Sequence, residues 1–175
     1  MNLKGSIVIP ALIGGLIMSS TGNHTAAASG IESEKAAIAV VIRDSICWAL
    51  TKDRPLQEST MAHDEDLFIF WTTSDMAVAG WNRYVKLFDT WMDPRFKATV
   101  TEIRDLSIHI SRSGDVAWFS AMLDDLGEWD GKPTGARDIR WTGVLEKRSE
   151  KWVFVQMHGS QAADRVLAQK NPDAK

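Results

Sequence analysis

The feature that most constrains the fold is a pair of apolar-rich segments near the end of the chain. They span residues 139–146 and 152–157, with the polar pair Ser149-Glu150 between them. Trp, Val, Phe and Thr favour the pleated, half-buried surface of a strand. Two such runs around a short polar break predict a β-hairpin with a two-residue turn, although Ser-Glu is not the preferred Asn-Gly pair.

The register of this hairpin follows by counting from its turn. A pair between Arg148 and Lys151 implies three more pairs on one face: Trp141 with His158, Gly143 with Gln156, and Leu145 with Phe154. The opposite face carries Arg140, Thr142 and Val144 against Gly159, Met157 and Val155. Both faces are apolar in the middle, whereas a solvated face would be polar. We therefore expect helices of the same domain to cover one face and a second copy of the chain to cover the other.

Length and charge narrow the class of protein. The 175 residues suit a single domain, and the formal net charge is −3 without a basic stripe, so nucleic acid is not an expected partner. Cys47 is the only cysteine and cannot form an internal disulfide. It lies beside Trp48 in an apolar segment, so we expect a buried structural thiol rather than a reactive one.

The N-terminal 28 residues have the pattern of a secretory signal. Lys4 precedes an apolar run over residues 7–18, and three alanines at 26–28 precede a cleavage point at Ser29. Twelve apolar residues are too few to span a bilayer, which needs about 20. We expect an exported protein, periplasmic or secreted and free of the membrane after cleavage, with a domain over residues 29–165 and a flexible tail over 166–175.

The rest of the chain divides into helical and extended segments. Apolar spacing predicts helices over residues 31–53 and 81–92, with a short helix beginning at Pro55. Strands are predicted over 67–71, 76–79, 97–111 with a bulge near 103–105, and 115–126, followed by a Gly- and Pro-rich loop over 127–135. This order predicts an α+β domain: a curved antiparallel sheet wrapped around N-terminal helices, with a pocket on its concave side.

Four segments carry a resemblance to a known family: DLFIFWTTSDMAVAGW (66–81), EIRDLSIHIS (102–111), residues 115–147 and KWVFVQMHGS (151–160). Together they resemble the SnoaL-like branch of the nuclear transport factor 2-like superfamily, over residues 31–163. The resemblance implies a cone-shaped domain that dimerises through the outer face of its sheet. The superfamily includes isomerases, cyclases, dehydratases, ligand-binding proteins and oligomerisation domains, so the fold does not determine the activity.

His158 is the first candidate for a functional residue. The predicted register places it on one face with Trp141 and Gln156, and Gly143 leaves a gap in the side-chain layer there. A histidine beside such a gap could bind a small ligand or transfer a proton near neutral pH. The alternative is a structural histidine at the edge of the sheet, with Gly143 at a bend.

Two consecutive carboxylates are the second candidate. Alternation along the strand directs either Asp124 or Asp125 inward, where apolar neighbours such as Trp118 would raise its pKa. Ketosteroid isomerase, an enzyme on the resembled fold, combines a carboxylate base with an oxyanion hole made by a tyrosine and a protonated carboxylic acid. Tyr84 could act as such a donor here. The alternative is that both aspartates lie in water near the end of the strand.

These residues support three hypotheses. The first is binding of a small apolar or aromatic molecule by Tyr84, Trp118, Trp141, Gln156 and His158. The second is an isomerase- or cyclase-type enzyme with His158 or Asp124 as general base, and the third is a dimeric assembly module with an inert cone. No cofactor motif is present, and the histidines after the signal segment lack the spacing of zinc ligands. Whether the protein is an enzyme is left open by the sequence.

Overall fold

The computed structural model describes residues 21–73 and 75–163, with side chains from residue 29 onward. The predicted apolar signal run and the predicted tail lie outside the described residues. The elements are α1 (Thr21–Cys47), a 3₁₀ turn (Trp48–Leu50), α2 (Arg54–Ser59), β1 (Phe68–Phe70), β2 (Ala77–Ala79), α3 (Trp81–Tyr84), a 3₁₀ turn (Val85–Leu87), α4 (Phe88–Trp91), β3 (Phe96–Ile110), β4 (Val116–Trp129), β5 (Lys132–Arg148) and β6 (Lys151–Ser160).

The described part of the chain begins with two helices, α1 and α2, which contact one another. Ile38, Ile42 and Ser45 lie along the buried side of α1, as the spacing of apolar residues predicts. Asp53 begins α2 by accepting a hydrogen bond from the Leu56 backbone nitrogen, and proline occupies the first turn. Within residues 21–73 and 75–163, no helix is long and apolar enough to cross a membrane.

The predicted aromatic helix over 81–92 forms as three consecutive short turns, α3, the second 3₁₀ turn and α4. Tyr84 and Phe88 are its buried residues, and Phe88 packs edge-on against Trp48 at a centroid distance of 5.2 Å. This packing joins the aromatic segment to the end of α1. The aromatic face therefore belongs to the core, and two of its rings, Tyr84 and Trp91, also line a cavity.

The strands form one six-stranded sheet in the order β2-β1-β6-β5-β4-β3. Four of the five neighbouring strand pairs are antiparallel, but β1 runs parallel to β6, so the sheet is mixed rather than purely antiparallel. The helices pack on the concave side of this curved, open sheet. The predicted α+β class, with N-terminal helices against a curved sheet, is confirmed.

The prediction of a loop over residues 127–135 is wrong. The strands β4 and β5 continue through it and meet at the two-residue turn Asp130-Gly131, where φ is 53° and 73°. Two residues with positive φ form the turn that suits the right-handed twist of a hairpin, and Asp-Gly is a preferred pair for it. Pro133 is tolerated because β6 does not extend this far, which leaves that side of β5 unpaired.

The predicted bulge in the long strand β3 is confirmed. Pairing with β4 shifts between Arg104 and Ser107, and Asp105 adopts a left-handed conformation with φ of 53°. A bulge increases the local twist and bends the strand. It therefore contributes to the curvature that encloses the concave side.

The predicted register of the β5–β6 hairpin is right only near its turn. Arg148 pairs with Lys151 and Leu145 pairs with Phe154, but the pairing then shifts, so that Val144 pairs with Gln156. Val155 is the extra residue. The backbone of Phe154 forms hydrogen bonds with the segment after α2. Its N–H donates to the Thr60 carbonyl (2.8 Å), and its carbonyl accepts from the Ala62 amide (2.9 Å).

This bulge moves every later residue of β6 to the other face. Thr142, not Trp141, lies opposite His158, and Trp141 lies opposite Gly159. The expected gap beside Gly143 is also filled. A Cβ placed there would lie 2.7 Å from the Phe119 ring and 2.9 Å from the Phe154 ring, so those two side chains occupy the space.

Candidate functional site

A cavity of about 450 Å³ lies between the helices and the concave face of the sheet. This volume falls in the range of small-molecule sites. Aromatic side chains form much of its wall: Trp48, Trp71, Tyr84, Trp91 and Phe96. The remaining lining residues are small, aliphatic or polar: Ser45, Ile46, Ala49, Ile69, Thr72, Thr73, Met76, Asp125, Thr134, Gly135, Ala136, Met157 and Gln161.

Asp125 is the charged residue among the described residues that line this cavity. It lies on β4 between Thr101 of β3 and Ala136 of β5, on the concave side of the sheet. Among the described residues, no side chain forms a hydrogen bond or ion pair with its carboxylate. Burial raises the pKa of Asp125 to about 6, because the charged form is disfavoured away from water. The carboxylate therefore titrates in the range in which general acids and bases operate.

The neighbouring carboxylate, Asp124, is fully engaged elsewhere. It accepts hydrogen bonds from Arg104 (2.8 Å), from Arg137 (2.7 Å) and from the Asp138 backbone nitrogen (2.8 Å). These partners cover it, leaving 5 % of the residue exposed. The Asp138 hydrogen bond, followed by desolvation and Arg137, sets its pKa, which is lowered overall. Asp124 thus stabilises the bulge between β4 and β5 and has no free oxygen directed at the cavity.

Tyr84 projects from α3 to the cavity wall, with its hydroxyl held by a fully buried amide. The side-chain nitrogen of Gln57 donates to the Tyr84 oxygen. Burial is the main influence on the phenol and raises its pKa, so Tyr84 stays neutral at physiological pH. A hydroxyl that accepts from Gln57 keeps its own proton available for donation to a ligand.

The backbone of β5 approaches the floor of the cavity closely. Gly135 adopts φ of 92°, and a Cβ there would lie 2.1 Å from the Asp125 carbonyl oxygen. Only glycine fits this position, because a side chain would force β4 and β5 apart. At the other end, the Trp71 ring packs onto Gly159, whose missing side chain lets the ring lie against the strand.

The model of the SnoaL-like domain family matches residues 38–164, which include every strand and the cavity. The chain belongs to the SnoaL-like domain family. No curated protein matches its sequence.

Solved structures with the same fold come from several bacteria. A nuclear transport factor 2-like protein of Cytophaga hutchinsonii aligns with a TM-score of 0.59 at 13 % identity, covering 73 % of this chain and 98 % of that one. A candidate dehydratase of the same family from Streptomyces avermitilis has a TM-score of 0.64 at 12 % identity, covering 75 % and 97 %.

A third structure, a candidate calcium/calmodulin-dependent protein kinase II association domain from Xanthomonas campestris, has a TM-score of 0.57 at 19 % identity, covering 73 % and 86 %. These identities establish a shared fold and no more. The nuclear transport factor 2-like architecture expected from the sequence is thereby confirmed. A candidate dehydratase and a candidate kinase association domain are different roles on one architecture, so the activity of this SnoaL-like domain must be argued from its own residues.

The residues proposed from sequence do not gather at one place. Tyr84 lines the cavity, whereas Trp141 is buried in the core beside Phe119, 5.0 Å between ring centroids. The other three lie away from the cavity, on the convex face of the sheet: Trp118, Gln156 and His158. His158 stacks there on Phe70, at a centroid distance of 5.7 Å. The proposed general base Asp124 is bound by arginines, and the adjacent Asp125 lines the cavity instead.

Sequence reasoning missed most of the aromatic wall. Trp48 and Trp91 reach the cavity from helical segments, and Trp71 reaches it from the end of β1. The parity of β4 did contain the signal for Asp125. Asp125 lies an even number of positions from four buried residues of β4 and therefore shares the concave face with them: Ala117, Phe119, Ala121 and Leu123.

The described part of the chain shows no cluster of side chains typical of a metal site. Residues 21–73 and 75–163 contain no group of three or more His, Cys, Asp or Glu side chains arranged to hold a metal ion. His63, at the start of the acidic segment 63–66, stacks instead on Trp81 at 3.9 Å and contacts the Glu58 carbonyl through Nε2 at 2.8 Å. That segment acts as a structural link.

Proposed function

We propose that this SnoaL-like domain binds a small, largely aromatic or apolar molecule in the cavity between its helices and its sheet. The observation that carries the proposal is the combination of a volume of about 450 Å³, walls of Trp and Tyr rings, and one carboxylate that has no partner in residues 29–73 and 75–163. Sites for small molecules are typically apolar with a few converging polar groups. Tyr84 and Asp125 supply one donor and one acceptor.

The test combines native mass spectrometry with a variant that blocks the cavity. Protein purified from its own host is measured for retained mass, and Ala49→Trp then places a large ring in the space that Ala49 borders. Leu50→Trp is the matched control, because the adjacent Leu50 is exposed. We expect bound mass in the wild type and the control and its loss in Ala49→Trp. Retention of the same mass by all three proteins would refute the cavity as the binding site.

A second candidate function is proton transfer of the isomerase or cyclase type, with Asp125 as the general base. The observation that favours it is a carboxylate whose pKa is raised to about 6 and which has no partner among the described residues. Tyr84 would donate to the oxygen on which negative charge develops. A base of this kind removes a proton next to a carbonyl group and returns it to another carbon.

The enzyme hypothesis can be tested with a simple carbon acid. Cyclohex-3-enone isomerises to the conjugated cyclohex-2-enone by one proton removal and one proton return, which changes the ultraviolet absorbance. We expect the rate to rise between pH 5 and 7 and Asp125→Asn to abolish that rise. An unchanged profile in the variant would exclude Asp125 as the base. The remaining hypothesis, an inert assembly module, requires that neither bound mass nor turnover be found.

We further propose that the protein is a homodimer formed through the convex face of the sheet. Three aromatic residues are exposed there, Trp118 (47 %), Phe70 (50 %) and Phe68 (42 %), although large apolar side chains are normally covered. Across the strands, His109, Trp118, Val144, Gln156 and Phe68 form one continuous row. A second copy would cover this row, in agreement with the dimers that the resemblance implies.

Export is the last part of the proposed function. It rests on the sequence pattern of residues 1–28, which precede the side chains that the structure describes. Mass measurement of the protein recovered from the host should give an N-terminus at Ser29. Recovery of a chain that still begins at Met1, from the cytoplasm only, would contradict export.

A further inference from the structure

The cavity contains one charged side chain that has no counter-charge among the described residues. Among its described lining residues, Asp125 is the one with a formal charge at neutral pH. The nearest cationic groups on the same strands, Arg104 and Arg137, are committed to Asp124 at 2.7–2.8 Å, and Arg104 also binds Asp138 at 3.0 Å. The ordinary arrangement, in which a buried carboxylate is paired with a protein cation, is thus absent around Asp125 within the described chain.

The walls of the cavity favour the same sign of ligand charge. The faces of aromatic rings carry a negative quadrupole that attracts cations, most strongly for Trp and Tyr. Trp91 meets Trp48 at 5.8 Å and 69°, and it meets Tyr84 at 5.7 Å and 60°. These rings are inclined to one another, so the cavity is bounded by several differently oriented aromatic surfaces rather than by one flat stack.

We infer that the cavity accepts an organic monocation, an amine or quaternary ammonium on an apolar body, with its charge placed between Asp125 and the aromatic walls. The inference rests on the proposed small-molecule function and specifies its ligand class. An anion would be repelled by Asp125. A neutral molecule would leave the carboxylate unpaired, and a divalent metal ion would require more oxygen ligands than the one carboxylate provides.

The charge of Asp125 makes binding depend on pH. Its pKa of about 6 leaves the carboxylate ionised at pH 7.5 and mostly protonated at pH 5. Two other titratable groups lie in this region: Cys47 on α1 interacts electrostatically with Asp125, and Tyr84 on α3 lines the same cavity. Burial raises the pKa of both, so both are neutral over this range. Thr101 and Ala136, opposite Asp125 on β3 and β5, do not titrate. Cation affinity should therefore follow Asp125.

The test uses two molecules of the same shape, phenyltrimethylammonium and its neutral carbon analogue tert-butylbenzene. Binding to the intact protein is measured by calorimetry and tryptophan fluorescence at pH 7.5 and pH 5. We expect the cation to bind at least tenfold more tightly at pH 7.5, and this preference to disappear at pH 5. The affinity of tert-butylbenzene should not change with pH.

Two variants complete the experiment, with folding checked by near-ultraviolet circular dichroism. Asp125→Asn should remove the preference for the cation and keep tert-butylbenzene binding. Asp105→Asn makes the same charge change at an exposed position, where Asn tolerates the left-handed backbone, and should keep the preference. Equal affinities for both molecules at pH 7.5, or a preference that survives Asp125→Asn, would overturn the inference alone. Binding of neither molecule would overturn it together with the cavity proposal.

Discussion

Asp124 and Asp125 are consecutive on β4 and have opposite environments. Asp124 accepts two arginine side chains and a backbone amide on one side of the sheet, and its pKa is lowered. Asp125 faces the cavity without a hydrogen-bonding partner in the described chain, and its pKa is raised to about 6. Strand alternation alone separates a structural carboxylate from a candidate functional one.

Removal of the Asp125 charge should stabilise the protein at neutral pH. Because the pKa of Asp125 is about 6 in the folded protein and that of an ordinary aspartate is 3.8, the folded protein binds the proton more tightly, and stability falls as pH rises from 4 to 6. Above pH 6, the ionised Asp125 carboxylate lowers the free energy of unfolding by about 3 kcal/mol. Asp125→Asn should therefore be more stable than wild type at pH 7 and equal to it at pH 4, measured by urea unfolding. A variant less stable than wild type at pH 7 would contradict this assignment.

Asp124→Asn should have the opposite effect. The ionised carboxylate is preferred in the folded state, so its stabilisation is present above pH 4 and is lost as pH falls through the lowered pKa. Loss of charge-assisted hydrogen bonds to Arg104 and Arg137 should cost about 2 kcal/mol at pH 7. The same urea titrations test this, and the two asparagine variants act as mutual controls. Equal shifts in one direction would show that both carboxylates share one environment.

Gly143→Ala should destabilise the core. The new Cβ would meet the rings of Phe119 and Phe154 at 2.7 and 2.9 Å, and the Gln156 carbonyl oxygen at 2.8 Å. Overpacking against backbone and two fixed rings costs about 1–3 kcal/mol. Gly30→Ala on α1, where a Cβ meets nothing within 4 Å, is the control and should be neutral or slightly stabilising. Thermal unfolding of both variants gives the comparison, and equal melting temperatures would refute the packing described.

Negative charges introduced on the convex face should dissociate the proposed dimer into monomers. Trp118→Glu with Phe70→Glu places two carboxylates among the exposed aromatic residues of the convex face, and association through this face depends on burial of apolar surface. Sedimentation velocity should change from dimer to monomer. Leu50→Glu, also at an exposed apolar residue but on a 3₁₀ turn, should leave the dimer intact. A wild-type protein that sediments as a monomer at all concentrations would refute the proposal.

The sequence predicts elements better than it predicts the side chains that meet at the site. Spacing locates the helices, the long strands and the bulge near Asp105, because periodicity reports which faces are buried. Counting from the Ser149-Glu150 turn fails beyond Leu145. The bulge at Val155 is stabilised by backbone hydrogen bonds between the preceding Phe154 and residues 60 and 62. Those residues are about ninety positions away, so the local sequence pattern gives no indication of them. That one residue moves His158 from the concave face to the convex face.

Composition was also misleading at the second hairpin. Gly and Pro are frequent in loops, and they indicated a loop over residues 127–135. The decisive signal was the narrower pair Asp130-Gly131, flanked by residues that continue both strands. The cavity wall was harder to predict, since Trp48, Trp71 and Trp91 come from three elements whose relative placement depends on the whole fold.

The parallel pairing of β1 with β6 has a consequence for the order in which the chain can fold. Phe68 pairs with Gln156 and Phe70 with His158, so the small β1–β2 pair joins the rest of the sheet only through the last strand. Contacts this distant in sequence close late and slow folding. During synthesis from the N-terminus, α1, β1 and the aromatic turns are made long before the strand that holds them in place. Until the final ten-residue strand has been synthesised, the N-terminal half would therefore lack this sheet partner, and its Trp side chains would remain exposed to solvent.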